Sequence, residues 1–327
     1  MSQLDFQQSQ LNQKFVQMLD DDDMRKEAEE KGAEYLKVQI YEDSFMEKIM
    51  PAQPISPAQA DRSTDAPNYQ YVIDKEFTDV GAVEVGLRGL ADYQYIEEDR
   101  YAVNFWKIES DEYEKTEGEI RGMRQPIQNL IRHHIAYHIR KQMDRSFIGA
   151  VNEAIDQDTA NRVYETSEPY LTPELVVELR NLIESQNLDG RYLQASTLLM
   201  TVPQYNRISQ WIQHNTEAGS NAGPGIDGGI TSEFWRDGYE YDQLFGLRVV
   251  KTYKSDLISN DEVYVFTQPQ YLGHHLTFND DRFSIIKHHD RVKWKGWRTF
   301  GFAIGNARAC AKLKLNVNNP SSNPSNV

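Results

Sequence analysis

The chain of 327 residues carries a single cysteine, Cys310, so no disulfide can form within it. Cys310 stands between Ala309 and Ala311, a small-residue setting that suits packing better than reactivity. Long apolar runs are missing, and none approaches the length of a membrane span. The opening residues, MSQLDFQQSQLNQ, have neither a basic start nor an apolar stretch, so they do not read as a secretory signal. The expectation is a protein made and folded in a reducing cytoplasm, with no membrane partner. Catalytic signatures are also missing. There is no G-x-S-x-G and no G-x-x-x-x-G-K-[ST], and no two carboxylates stand out as an acid and base pair.

Positive charge is scarce at the front. Residues 1–115 hold 26 acidic and 12 basic residues, a net of −14, within a chain of net charge −15. The remainder is nearly balanced. Inside it, Arg282–Lys314 holds nine basic residues and one acid, Asp290. This cationic end is also aromatic. Val292, Trp294, Trp297, Phe300, Phe302 and Ile304 mostly alternate with Lys293, Lys295, Arg298 and Thr299, as in a half-buried strand. Alternation explains that spacing and a nucleic-acid stacking platform does not.

Along the chain, residues 1–50 are polar and helix-prone, with scattered apolar residues at Leu36, Ile40, Phe45 and Ile49. The run Asp20, Asp21, Asp22, Asp23 reads as a solvated helix start. Pro51, Pro54, Pro57 and Pro67 then favour an extended strap. From Tyr69 to Lys107 the texture turns aromatic and β-branched, which predicts a two-stranded excursion. Such a ribbon is marginal alone, and nothing nearby in sequence offers it a partner surface. Thr116-x-x-Glu119 is a capping-box pattern. After it, apolar residues recur every three or four positions to Ile155, predicting one long amphipathic helix that Pro126 restarts or kinks.

A second helix is predicted over residues 171–188, capped by Thr172 with Pro173 in its first turn. YLQASTLLM reads as a buried strand, VPQYNRISQWI as a short helix, and Gly219–Gly229 as a glycine-rich loop. LRVVKTY, EVYVFTQ, LTFND, FSIIKHH, RVKWKGW and TFGFAIGNARACAKLKL read as strands, and residues 316–327 as a disordered tail. The fold class is α+β. Within the loop, Gly223, Gly225 and Gly228 match G-x-G-x-x-G. Pro224 interrupts the motif and no helix pattern follows, so it reads as a flexible loop rather than a dinucleotide site. His134 and His138 have metal-ligand spacing. Ile135 occupies the glutamate position of H-E-x-x-H, and two histidines alone make a poor site. They read as two packed, hydrogen-bonded histidines. No catalytic, cofactor or metal residue is assigned.

The order of these parts resembles the major capsid protein of tailed double-stranded DNA bacteriophages, the Hong Kong phage-type capsid fold. The most specific piece is the closing FSIIKHHDRVKWKGWRTFGFAIGNARACAKLKL, with Phe-Gly-x-Ala-Ile at Phe300–Ile304. LFGLRVVKTYKSD is similar to the family's return strand, and the likeness covers about Leu36–Leu315. It implies an N-terminal arm (1–68), an extended E-loop hairpin (69–107) and a peripheral domain with a long spine helix (108–191). An axial domain (192–257), mainly peripheral return strands (258–315) and the tail (316–327) complete it.

The implied function is a structural, non-enzymatic subunit that self-assembles as hexamers and pentamers into an icosahedral virion head. That head would enclose double-stranded DNA, contacted non-specifically, and be made in the host cytoplasm. The family's partners would be a separate scaffolding protein, a portal protein and a decoration protein. Between Glu76 and Trp106 there is no lysine, so the cross-link some relatives make near the E-loop tip has no donor there. An encapsulin-type compartment shell is the alternative, and a histidine-liganded metalloenzyme a distant third.

Expected inter-subunit contacts are Asp20, Asp21, Asp22 and Asp23, Phe45, Ile49, Arg88, Arg100, Arg132, Arg140, Lys293, Lys295 and Arg298. The cationic face, with Arg121, Arg124, Lys141 and Arg145 of the spine, would answer acidic arms of other subunits. On this expectation, removing residues 1–50 leaves a folded subunit that no longer closes into normal shells.

Overall fold

The computed structural model describes residues 42–60, 69–75, 100–122, 127–158, 162–185, 192–208, 243–278 and 282–316. The expectations for Asp20–Asp23, the excursion tip with Arg88, Arg124, the glycine-rich loop and the tail beyond residue 316 lie outside these residues.

Two sheets are built from the described strands. The first runs β1 (Gln53–Pro54), β10 (Gly273–Thr277), β12 (Arg291–Ile304), β3 (Arg100–Glu109) and β2 (Gln70–Asp74). Strands β11 (Arg282–His288) and β4 (Tyr113–Thr116) also pair with β12. The second runs β5 (Val163–Glu165), β13 (Cys310–Lys314), β9 (Glu262–Thr267), β6 (Ala195–Thr201), β8 (Leu247–Thr252) and β7 (Gln243–Leu244). RVKWKGW and TFGFAI, expected as separate strands, form the single 14-residue β12. Its length lets one strand pair with β10, β11, β3 and β4 in turn.

The capping box forms as its sequence suggests. The Glu119 amide donates to Thr116 Oγ1 at 3.3 Å, and Glu119 Oε2 accepts from the Thr116 amide at 3.0 Å. The expected single helix is two elements among the described residues, α2 (Glu117–Gly122) and α3 (Ile127–Gln157), on either side of residues 123–126. Pro126 lies in that interval, outside the described residues. At 31 residues, α3 is about 46 Å long at 1.5 Å per residue.

Helix α3 bridges the two sheets. Ile135, Ile139, Met143, Phe147, Val151 and Ile155 recur every four residues on its buried stripe. The first half lies on β12, where a Cβ on Gly296 would stand 2.5 Å from Ile135 Cγ2. The second half lies on the second sheet, where the Phe147 ring meets Phe266 at 5.8 Å and Asn152 accepts from the Tyr264 hydroxyl at 3.1 Å. Helix α4 (Pro173–Glu184) covers the opposite face of that sheet. Thr172 caps it, accepting from the Leu175 amide at 3.4 Å.

Strand parity makes the second sheet a double-sided core. Leu199, Val250, Tyr264, Phe266 and Cys310 join the α3 side. Leu198, Met200, Val263, Val265, Ala311 and Leu313 join the α4 side. This is why STLLM and VYVF read as unbroken apolar runs. Short helices α5 (Val202–Ile208) and α6 (Pro269–Leu272) follow β6 and β9.

Ahead of the sheets, α1 (Phe45–Ile49) buries Phe45, Met46 and Ile49 in the α3 core at 0–1% exposure. Phe45 and Ile49 were expected to bury on a neighbour. They bury on their own chain, because α3, β8 and the start of α1 together enclose their side chains.

Candidate assembly surface

The outward face of the first sheet carries the charge. Along β12, Val292, Trp294 and Gly296 turn to the buried side, and Lys293 and Lys295 turn away from it. The register sets Lys293 opposite Glu114 and Trp297 opposite Glu109. Lys293 reaches Glu114 at 3.3 Å and Glu112 at 3.5 Å, and Lys295 reaches Glu109 at 2.7 Å. Arg291 pairs with Glu114 at 2.6 Å and Lys287 with Glu117 at 2.7 Å. Hydrogen bonds from Lys107 and then Lys295 pull the Glu109 carboxyl down to about 2.

The cationic end therefore meets acids from its own chain. Among the described residues, seven of the nine basic residues in Arg282–Lys314 have such an ion pair. Besides the four above, Arg298 reaches Glu47 at 2.6 Å, Lys312 reaches Glu262 at 2.5 Å and Lys314 reaches Glu165 at 3.2 Å. The face expected as a counter-surface for arms of other subunits also finds partners within its own chain. Most of its charge answers Glu47, Glu109, Glu112, Glu114 and Glu117 of the acidic first third and early spine region.

The helix cations divide. Arg132 and Arg140 are buried: the Arg132 guanidinium lies over the Phe283 ring at 5.1 Å, and Arg140 Nη1 reaches Asp43 at 3.3 Å. Lys141 and Arg145 share Asp256 at 2.8 and 3.7 Å. Arg121 pairs with Glu117 at 3.4 Å. Arg100 stays well exposed beside Asp74 at 2.7 Å.

The predicted ribbon is present at its base, where β2 and β3 pair antiparallel from Gln70↔Asn104 to Asp74↔Arg100. Its support comes from far along the chain. β3 pairs with β12, and Val103 and Phe105 pack with Leu276, Ala60 and Phe278. The Phe105 and Phe278 rings stack at 4.3 Å. The strap contributes through β1, which runs parallel to β10, and through Ile55, whose amide donates to the Thr277 carbonyl at 3.0 Å. No local pattern could have revealed the support from β12, Leu276 and Phe278, which lie far away in sequence, whereas the strap residues Ile55 and Ala60 stand close ahead of β2.

His134 and His138 are exposed, since they fall one position off the buried stripe of α3, and the His138 ring meets the Tyr137 ring edge-on at 5.6 Å. Among the described residues, no three histidine, cysteine or acidic side chains gather as a metal-ligand set. Cys310 is buried, and that burial pushes its thiol up to about 12. Among the described residues, no helix is long and apolar enough to cross a membrane.

No protein-family model matches the chain, and no curated protein matches it by sequence. Solved structures do match by shape. A chain of the Microbacterium phage Oxtober96 superposes with a TM-score of 0.59 at 9% identity, covering 84% of this chain and 91% of that one. The capsid structure of the cyanophage P-SCSP1u gives 0.55 at 9% identity, with 82% and 86% covered. The holo-SrpI encapsulin complex of Synechococcus elongatus gives 0.52 at 10% identity, with 84% and 89% covered. The chain thus has the α+β fold shared by phage capsid and encapsulin subunits.

Proposed function

We propose that this chain is the major capsid protein of a tailed double-stranded DNA phage, a non-enzymatic subunit that assembles with itself into an icosahedral head. The carrying observation is a fold match that spans more than four-fifths of both chains, with phage structures prominent among the neighbours. In this reading, residues 69–107 act as the E-loop, α3 is the spine, and the segment before Glu42 is the arm. Hexamers and pentamers form the shell. A separate scaffolding protein, a portal and a decoration protein complete it, and packaged DNA is touched non-specifically. Exposed Arg100 and half-buried Lys293 and Lys295 are available at the rims of their ion pairs for exchange between subunits. The protein is made in the host cytoplasm and resides in the virion.

The encapsulin neighbour supports a second reading, a compartment shell without a genome. Electron microscopy of the full chain, expressed alone and with its neighbouring genes, tests both. Closed polyhedral particles support a shell, and a DNA-filled interior in particles from a lytic host selects the phage reading. Monodisperse monomers under all conditions would remove both. Removal of the arm should stop before Glu42, because removal to Met50 also strips four side chains from the core. The chain lacking residues 1–41 should fold yet give fewer or misshapen shells, judged by particle size and yield.

A further inference from the structure

The segment Glu42–Met50 is contacted almost residue by residue by polar groups of the body. Asp144 on α3 and Lys254 after β8 form an ion pair at 2.5 Å, with side chains 0% and 1% exposed. Asp144 Oδ1 accepts from the Ser44 hydroxyl at 2.6 Å and from the Met46 amide at 3.0 Å. Between those two residues, the Lys254 ammonium lies 5.6 Å from the centre of the Phe45 ring. One buried pair thus touches three consecutive residues. The Ser44 oxygen also accepts from the Glu47 amide at 3.3 Å, so the same hydroxyl caps α1 while donating to Asp144.

The flanks are held in the same manner. Glu42 accepts from the Thr252 hydroxyl at 2.7 Å, and Asp43 pairs with Arg140 at 3.3 Å. Glu47 pairs with Arg298 at 2.6 Å, and the Lys48 carbonyl accepts from Arg248 at 3.3 Å. The Met50 carbonyl meets His275 Nδ1 at 3.1 Å.

Apolar burial alone would fix this segment loosely. Phe45, Met46, Ile49 and Met50 could slide by a turn and still find greasy contacts. A buried carboxylate tolerates no slip, because any other register leaves its oxygens, or the Ser44 hydroxyl, without partners in a dry site. A buried pair contributes little net stability against an apolar replacement, yet it can set register.

We infer that Asp144 and Lys254 form a recognition site for the chain's own Ser44–Met46, which fixes where α1 begins and hence where the N-terminal segment leaves the body. The site is independent of the shell reading, since it acts within one chain. The residues it fixes continue into β1, so the pairing of Gln53 with Leu276 depends on it.

Hydrogen exchange on the full chain tests this. Ser44→Ala should speed exchange across Phe45–Met50 by about fivefold, in the range of a lost helix cap, and leave α4 unchanged. The double variant Asp144→Leu with Lys254→Met separates recognition from stability. Its β6 and β9 amides should stay within about threefold of the unaltered protein, because an apolar pair replaces the ions. Its Phe45–Met50 amides should exchange about tenfold faster. Unaltered protection of Phe45–Met50 in both variants would overturn the inference, since apolar packing would then suffice. If the double variant does not fold, Ser44→Ala decides alone: an unchanged segment refutes the site, and a selectively loosened one supports it.

Discussion

The two sheets use the same strands and helices to different ends. The second is covered on both faces, by α3 and by α4, and its central strands show almost no polar side chain to water. In the first, α3 covers one face, and the other is divided: Val103, Phe105 and Leu276 are buried under the strap, while the paired lysines, arginines and glutamates of β12, β11, β4 and β3 reach water, and the edge continues into the hairpin base. A sheet closed on both sides holds a subunit together. A sheet with a polar stretch on one face and an excursion at its edge leaves surface for another molecule. Both sheets thus feed the core, and the polar stretch of the first adds the surface with potential for contact.

The largest test strikes the closed sheet. Phe266 is fully buried between Phe147 and Tyr264. Phe266→Ala should destabilise the subunit by about 3–5 kcal/mol, the usual range for emptying such a site. Trp297→Ala on the open face should lower stability far less, because Trp297 is only half-buried and its contact with Lys107, at 4.9 Å, is at the surface. Urea unfolding of both variants measures the contrast. Equal losses would mean that the open face is as much a core as the closed one.

This contrast was only partly legible in the sequence. Double-sided burial showed as unbroken apolar runs, and half-burial as alternation from Val292 to Lys295, since strand parity writes both patterns directly. The capping box at Thr116 and the cap at Thr172 are also local, and both formed where they were read. The ion pairs were not legible, because Lys295 and Glu109 lie far apart in the chain and meet only through the β12–β3 register. The same blindness put Phe45 and Ile49 on a neighbour. An amphipathic turn shows that it needs a cover but not whose. Asp144 gave no signal, being one acid on a helix with basic neighbours, until α1 and Lys254 closed around it.

A second test uses the seam where the strap meets the open sheet. His275 on β10 is buried, and burial pushes its imidazole below the ordinary range. The Met50 carbonyl and Glu47 oppose that shift, and Arg298 adds to it. Nδ1–H donates to the Met50 carbonyl, and among the described residues Nε2 has no hydrogen-bond partner, so a second proton would be a buried donor without an acceptor there. Above about pH 6.5 both folded and unfolded chains keep this ring neutral. As pH falls below that, the unfolded chain takes the proton first. The contribution is then lost until the lowered folded value is reached, at a slope of at most about 1.4 kcal/mol per pH unit. His275→Asn keeps a donor for Met50 and removes the titration. Its urea midpoint should vary less between pH 7.5 and pH 5 than that of the unaltered chain, with those two values chosen to bracket the ordinary imidazole range. Identical pH profiles would show that His275 is not the group responsible.

The smallest effect on the lone subunit belongs to the charge ladder. Lys295 and Glu109 are each more than one-third exposed, and an exposed pair contributes only about 0–1 kcal/mol. Lys295→Ala should therefore shift subunit stability by less than about 1 kcal/mol. Glu109 keeps its charge down to about 2, so its pair with Lys295 should persist through mild acid and weaken only near that value. Salt is the sharper probe, since screening shortens the reach of exposed charges to about 3 Å at 1 M. If the ladder serves only its own strands, Lys295→Ala and high salt should both leave assembly unchanged. If subunits exchange partners across this face, the variant should alter the salt concentration at which particles form while its urea midpoint stays put. Light scattering of assembly across a salt series, read beside urea unfolding of the same samples, tells these apart. A shift in assembly without a shift in stability would assign the open face to contact between subunits. Matched shifts in both would return the ladder to the fold.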